Sequence, residues 1–304
     1  MQTLFYSAIA LIPWIAITLL LRYAVNIEGL SASLVGILSR AVCLPLLGGW
    51  ILARGTGWRR FGLRGEGRRL VLMGAISIVI NLAWFYSLRW TTATNVAILI
   101  RTDIVFVILI GAIFGLERIR PAQLAVVPVM FIGLGLLCEI QHFDFAGHLT
   151  GDLLVVCAAL AFSVNAFIIR VILKTLDGEV IAEYNHGISS LGFLAIVLLQ
   201  GQFAELPELF TPSRAYAVVG LGVCTAIGLP LYYVALKHMP VWKLRVCMLA
   251  GPVFTALFER WRWGLVMTWT QMLGAAMILA GLAAIVLMDH FQRGPESDAV
   301  IAES

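Results

Sequence analysis

Apolar residues in this chain gather into blocks of about 20, separated by short polar or basic stretches. At 1.5 Å per residue such a block crosses a hydrocarbon layer of roughly 30 Å. The pattern predicts membrane-spanning helices over 4–22, 31–53, 70–88, 92–114, 121–138, 151–173, 181–200, 215–236, 240–259 and 267–288. The fold expected from it is an all-α polytopic membrane protein with ten transmembrane helices. The first block has no charged segment ahead of Leu4 and no small-residue cleavage site behind it, so it is expected to be a retained helix rather than a signal peptide.

Composition agrees with the pattern. Only 12% of the residues are charged and 61% are hydrophobic, where a soluble domain carries about a quarter charged. Water would not solvate such a surface. The lipid bilayer is therefore the first expected partner. With the N-terminus inside, the cytoplasmic segments hold Arg54, Arg59, Arg60, Arg64, Arg68, Arg69, Arg118, Arg120, Arg170, Lys174, Lys237 and Arg293. The outer loops hold Arg22, Arg89, Arg214, Arg260 and Arg262. This bias places both termini in the cytoplasm and the chain in an inner, or plasma, membrane. The net charge of +4 follows from that orientation, and the basic loop 54–69 calls for anionic headgroups, not nucleic acid. The cysteines are scattered singly through the spans, which suggests neither disulfides nor a metal site.

Sliding the chain on itself by 148 residues aligns Ala10 with Ala158, Arg22 with Arg170, Gly74 with Gly222 and Leu88 with Leu236. The register continues without a gap through Val105 and Val253, Phe106 and Phe254, Gln123 and Gln271, and Gly133 and Gly281. Only the second and seventh spans align poorly. Each half holds five helices, an odd number, so the two halves must insert with opposite orientation. Two inverted five-helix repeats are the architecture of secondary transporters that work by alternating access. The expected division is a first repeat over 1–138, an outer linker over 139–150, a second repeat over 151–288 and a cytoplasmic tail over 289–304.

The stretch YSLRWTTATNVAILIRTDIVFVILIGAIFGLERIRPAQ, Tyr86 to Gln123, with GLGLL at 133–137, resembles the end of an EamA-type domain of the drug/metabolite transporter superfamily. The second half repeats it from Tyr232 in YYVALKHMPVWKLRVCMLAGPVFTALFERW, with Gln271 and GLAAIVL at 281–287. Two positions depart from that pattern. Gly251-Pro252 is kept in the second repeat, but Asp103-Ile104 replaces it in the first, and Gly264-Leu265 stands where Gly-Glu is usual. The resemblance implies a small-molecule substrate, no enzymatic activity and no cofactor, and it places the first, third, sixth and eighth helices around a central cavity.

Charges inside a bilayer cost a few kcal/mol and usually face a cavity or a partner, so they are the first candidates for substrate contact. Arg101 lies nine residues after Thr92, near the midplane, with Asp103 just beyond. Two positions on a helix differ by about 200° in azimuth, so the two side chains are not expected to pair directly. Asp103 is read as a proton-linked or a structural carboxylate, which leaves room for a coupling proton. Lys243 and Arg245 fall in the first turns of the ninth helix, where snorkelling to the headgroups competes with substrate contact. Basic residues of the fourth and ninth helices bind substrate in organic-phosphate members of the superfamily, so Arg101, Lys243 and Arg245 match those in position, though not in spacing. Trp14, Asn81, Trp84, Asn165, Tyr232 and Tyr233 lie on the helices that the resemblance places around the cavity, and are candidate wall residues. Arg40 is a weaker candidate, because its helix is less central in the family. Gly111 and Gly115 form a small-xxx-small pair suited to close helix packing.

The cationic excess points to an anionic or zwitterionic metabolite, carried by an exporter or exchanger. Two readings compete with transport. A non-transporting scaffold would pair every intramembrane charge and hold no cavity. An intramembrane enzyme would need a nucleophile or metal motif at depth, and neither HExxH nor GxSxG occurs; only Glu183 and His186 form an i, i+3 pair. His142, His148, Asp144 and Asp152 crowd the linker in a spacing that matches no helical metal-ligand pair, and they read as a solvated segment.

Overall fold

A computed structural model describes residues 2–54, 61–87, 90, 91, 93–117, 119–140, 148–264 and 266–291. Among them the chain is all helical. The helices are α1 (Gln2–Arg22), α2 (Ala32–Ala53), α3 (Gly67–Ser87), α4 (Ala93–Leu99), α5 (Asp103–Ile113) and α6 (Pro121–Leu137), followed by α7 (Leu149–Ile172), α8 (Gly178–Leu199), α9 (Pro212–His238), α10 (Val241–Cys247), α11 (Ala250–Trp263) and α12 (Trp269–Phe291). Eight helical stretches among the described residues are long and apolar enough to cross a membrane, and α6 is a shorter apolar helix. Helices suit this solvent because lipid offers no partner to a free backbone N–H or C=O. Pro121 and Pro212 open α6 and α9, where a missing N–H costs nothing.

The predicted fourth and ninth spans differ from expectation. Each is two helices meeting at a break: α4 passes into α5 through a tight 3₁₀ turn at Ile100–Thr102, and α10 passes into α11 through Met248 and Leu249. The apolar run continues through both breaks, so hydropathy alone reads each as one helix. Both short first halves have seven residues, and Ala93–Leu99 maps onto Val241–Cys247 at the same offset of 148 that aligns the sequence.

Packing follows the same offset. α1 lies on α9 and α3 on α7; α2 meets α9 as α8 meets α3; α5 packs on α7 as α11 packs on α1. The α6–α12 contact is the closest of these. A Cβ on Gly274 would stand 2.4 Å from the Gly133 carbonyl oxygen and 2.6 Å from the Leu137 nitrogen, so the two backbones touch. Gly115, expected to help pack α5, does something else. It has φ +62° with open space around its Cα and ends α5 in a left-handed cap that a larger residue would strain.

At the end holding the 61–69 segment, Arg54 pairs with Glu179 at 3.0 Å, Arg69 with Glu66 at 2.8 Å, and Arg64 donates to the Thr175 carbonyl at 3.0 Å. At the other end Glu28 pairs with Arg214 at 3.4 Å. Hydrogen bonding from Tyr23, with Ser213 and Arg214 beside it, holds the Glu28 carboxyl below its ordinary range.

Candidate functional site

The two helix breaks bring the deep charges together. Asp103 is the first residue of α5 and Arg245 stands two residues before the end of α10. The Arg245 guanidinium Nη1 lies 3.4 Å from Asp103 Oδ2, and the residues are 6% and 2% exposed. Those burials overturn the snorkelling alternative for Arg245. It lies under the protein instead, with Cζ 3.9 Å from the Phe162 ring centroid and 5.5 Å from that of Tyr232, while Nη2 donates to the Phe162 carbonyl at 3.5 Å. Stacking on two rings fixes the plane of the guanidinium as well as its place. The Ser163 hydroxyl donates to the Asp103 carbonyl at 2.9 Å, which ties α7 to the break.

Arg101, in the 3₁₀ turn, lies within electrostatic reach of Asp103, Arg245 and Cys138. Its side chain makes no ion pair or hydrogen bond among the described residues, and its Nε is buried. The expectation that Arg101 and Asp103 do not pair directly therefore holds. Asp103 Oδ1, Arg245 Nε and the Tyr232 hydroxyl are likewise buried with no hydrogen-bond partner. Two guanidinium groups thus face one carboxylate in a site whose remaining polar atoms have nothing to bind, which is costly for a closed core.

The other expected residues divide. Trp14 and Tyr232 stand together, centroids 6.0 Å apart, and Tyr233 lies 5.8 Å from Tyr232 with its hydroxyl accepting a 2.7 Å hydrogen bond from Asn185. These join the Arg245 side of the site. Asn165 and Asn81 belong to the α3–α7 seam. The first donates to the Ser77 hydroxyl at 3.0 Å and leaves its Oδ1 unpartnered; the second donates to the Ser77 carbonyl of its own helix at 2.6 Å. Lys243 is half-buried, with Nζ 5.6 Å from the Trp242 ring centroid, and is not brought to Asp103. The Trp84 side chain, the Glu259 side chain and His142 with Asp144 lie outside the described residues. His148 and Asp152 do not float in a solvated linker. His148 Nδ1 is 3.0 Å from the Trp90 carbonyl, and the Asp152 carboxylate accepts from Thr91 and Asn95 at the start of α4.

Sequence reasoning missed Phe162 and Glu117. Phe162 carries no signal, being one apolar residue among many. Glu117, just past the end of α5, accepts hydrogen bonds from the Val241 and Trp242 backbone N–H groups at 2.5 and 3.0 Å and pairs with Arg170. It caps the first turn of α10, and its place shortly after Gly115, where the family pattern has Gly-Glu, was the available signal. Arg170, counted among the loop charges, lies inside α7 as the partner of that carboxylate.

The sequence matches the EamA-like transporter family over residues 1–138 and again over 149–287. Two curated relatives from Archaeoglobus fulgidus are each named only as an uncharacterized transporter. One is 25% identical over 253 residues, covering 81% of this chain and 84% of its own; the other is 26% identical over 226 residues, covering 73% and 78%. A similarly named protein of Methanothermobacter thermautotrophicus is 25% identical over 196 residues, covering 62% of this chain and 55% of its own. A solved crystal structure, titled without a function, superposes with a TM-score of 0.71 at 20% identity, covering 91% of this chain and 98% of its own, and so shares the fold. With matches across both halves, the chain belongs to the EamA-like transporter family and is a multi-pass membrane transporter of a small molecule, not an enzyme.

Proposed function

We propose that the transporter moves an anionic or zwitterionic metabolite, as an exporter or exchanger, by alternating access around Arg101, Asp103 and Arg245. The observation that carries this reading is two guanidinium groups, Arg245 buried and Arg101 half-buried, against a single carboxylate, with unsatisfied buried polar atoms on Arg101, Arg245, Asp103 and Tyr232. A substrate carboxylate or phosphate would satisfy the Arg101 fork and the Tyr232 hydroxyl, and a substrate ammonium the free Asp103 oxygen. Trp14 and Tyr233 line its edge. Lys243, Asn81, Trp84 and Asn165 take more distant places along the substrate route in this reading.

The architecture we infer has ten spans, with α3 and α6 added to the eight long apolar stretches. They form two inverted five-helix repeats over 1–138 and 151–288, with 139–150 as linker and 289–304 as tail. The matched breaks at an offset of 148 and the paired packing of α1–α9 with α3–α7 support it. Clustering of Arg54, Arg64, Arg69, Arg170 and Lys174 at one end supports a cytoplasmic location for that end and both termini, in a plasma or inner membrane. A single cysteine placed in the 54–69 loop of an otherwise cysteine-free chain should react with an impermeant thiol reagent only from the cytoplasmic side. Labelling from outside overturns the orientation.

Function itself is tested by uptake of a labelled panel of carboxylates, phosphate esters, amino acids and simple cations into proteoliposomes, with and without a proton gradient. Saturable uptake of at least one anion or zwitterion is the expected result. A protein that carries only simple cations, or nothing on a broad panel, defeats the reading.

A further inference from the structure

A second buried polar system runs through the seam between α2 and α8. The two helices lie antiparallel with Gly36 against Phe193, Arg40 against Ser189 and Gly48 against Glu183. Arg40 donates from Nε to the Ser189 hydroxyl at 3.3 Å and from Nη1 to the Gly36 carbonyl at 3.1 Å, with Cζ 4.3 Å from the Phe193 ring centroid. No carboxylate reaches it among the described residues. One turn and two turns along α8 stand His186 and Glu183, three residues apart and so on neighbouring faces of the helix.

Neither is satisfied. His186 is 6% exposed with a buried Nε2 that has no hydrogen-bond partner, and Glu183 has a buried Oε2 in the same condition. The Glu183 side chain makes no hydrogen bond or ion pair among the described residues. Its Oε1 stands 3.4 Å from where a Cβ on Gly48 would sit, so the carboxyl occupies space that glycine leaves open. The surroundings hold few groups able to answer it. α2 brings Cys43 and Arg40 into electrostatic range of this system, and α9 meets α8 beside it through Tyr233, whose hydroxyl is held by Asn185. α3 meets α8 with Gly74 on Ile188 and Ile78 on Gly192. On α8 itself Glu179 is taken by Arg54, and the Tyr184 hydroxyl donates to the Phe61 carbonyl at 2.6 Å. No charge of the Arg101, Asp103 and Arg245 cluster lies within electrostatic range of Glu183 or His186.

Glu183 is half-buried on a helix long and apolar enough to span the membrane, where an ionised carboxylate needs a cation or several donors, and none reaches its side chain among the described residues. We propose that Glu183 is a proton-binding site, loaded in this conformation and unloaded when the α2–α8 seam opens to water, with His186 as its relay partner. The step moves one proton from the carboxyl oxygen to water or to His186 Nε2 and alters no other bond. It reaches the central cluster mechanically, since Asn185 on α8 holds Tyr233 and the adjacent Tyr232 lies under Arg245. The assignment stands apart from the choice of substrate and of substrate residues.

Infrared spectra of the purified protein in lipid nanodiscs, titrated through the neutral pH range, test it without a substrate. A protonated-carboxyl band should vanish as pH rises, be missing from Glu183→Gln and persist in Asp103→Asn. Glu183→Asp, which keeps a carboxyl one methylene shorter, should retain the band with a moved midpoint, and His186→Gln should move the midpoint as well. A band that survives in Glu183→Gln, disappears in Asp103→Asn, or fails to titrate in the wild type overturns the proposal, as does a spectrum with no such band. An unmoved midpoint in both Glu183→Asp and His186→Gln overturns it even if Glu183→Gln does not fold.

Discussion

Asp103→Ala is expected to destabilise the purified protein by about 3–5 kcal/mol, the usual cost of removing one member of a buried ion pair. Arg245, itself buried, would be left on the Phe162 and Tyr232 rings with no counter-ion, and with the half-buried Arg101 within electrostatic reach. Most of that loss comes from the stranded cations and not from the missing attraction, so a second change should recover much of it. Arg245→Met in the Asp103→Ala background keeps an apolar chain against the two rings while removing the charge. Thermal or denaturant unfolding of the two single variants and the double variant measures this directly. Strict additivity of the two single losses would mean that Asp103 and Arg245 do not interact, and the 3.4 Å contact would lose its meaning.

The second large effect is on binding. Arg101→Gln keeps hydrogen-bonding capacity but removes the charge and the planar fork, and it breaks no ion pair among the described residues. Stability should therefore change little. A charge-assisted contact to substrate of about 1.5–3 kcal/mol would be lost, so affinity for the substrate found in the uptake panel should fall by roughly ten- to a hundred-fold. Binding to wild type and variant, compared at matched thermal stability, reads this out. Equal affinity removes Arg101 from the substrate site. Together the two experiments separate what holds the centre together from what it holds.

The spans were legible because lipid imposes one rule along the whole chain. An apolar block near 20 residues can do little else, and the observed helices α1, α2, α7 and α9 begin and end within a few residues of the blocks that predict them. The breaks were not, because Arg101, Thr102 and Asp103 interrupt an apolar run too briefly to change its average. The depth of Arg245 was hidden for a different reason. Its position in the first turns of a helix suggests a shallow side chain, yet its partner is 142 residues upstream in sequence, and no local spacing encodes that distance. Asp103 was readable as unusual from its place opposite Gly251-Pro252 in the repeat; what it binds was not. Phe162 shows the limit most plainly, since stacking under a guanidinium is a property of the fold, and its side chain looks like every other apolar residue in α7.

A carrier built from two identical inverted halves would face either side of the membrane with equal ease. Glu117 has no equivalent in the other half, where Leu265 stands at the matching position, and it holds the start of α10 through two backbone N–H groups and Arg170. The start of α4 is held differently, by Asp152 accepting from the neutral side chains of Thr91 and Asn95. A carboxylate accepts at both ends, but only the α10 fastening adds a guanidinium to it, so the two fastenings are unequal by one ion pair. If the carrier alternates as proposed, the empty protein would not divide its time evenly between its two faces, and the side on which it waits would be set by which carboxylate closes which end.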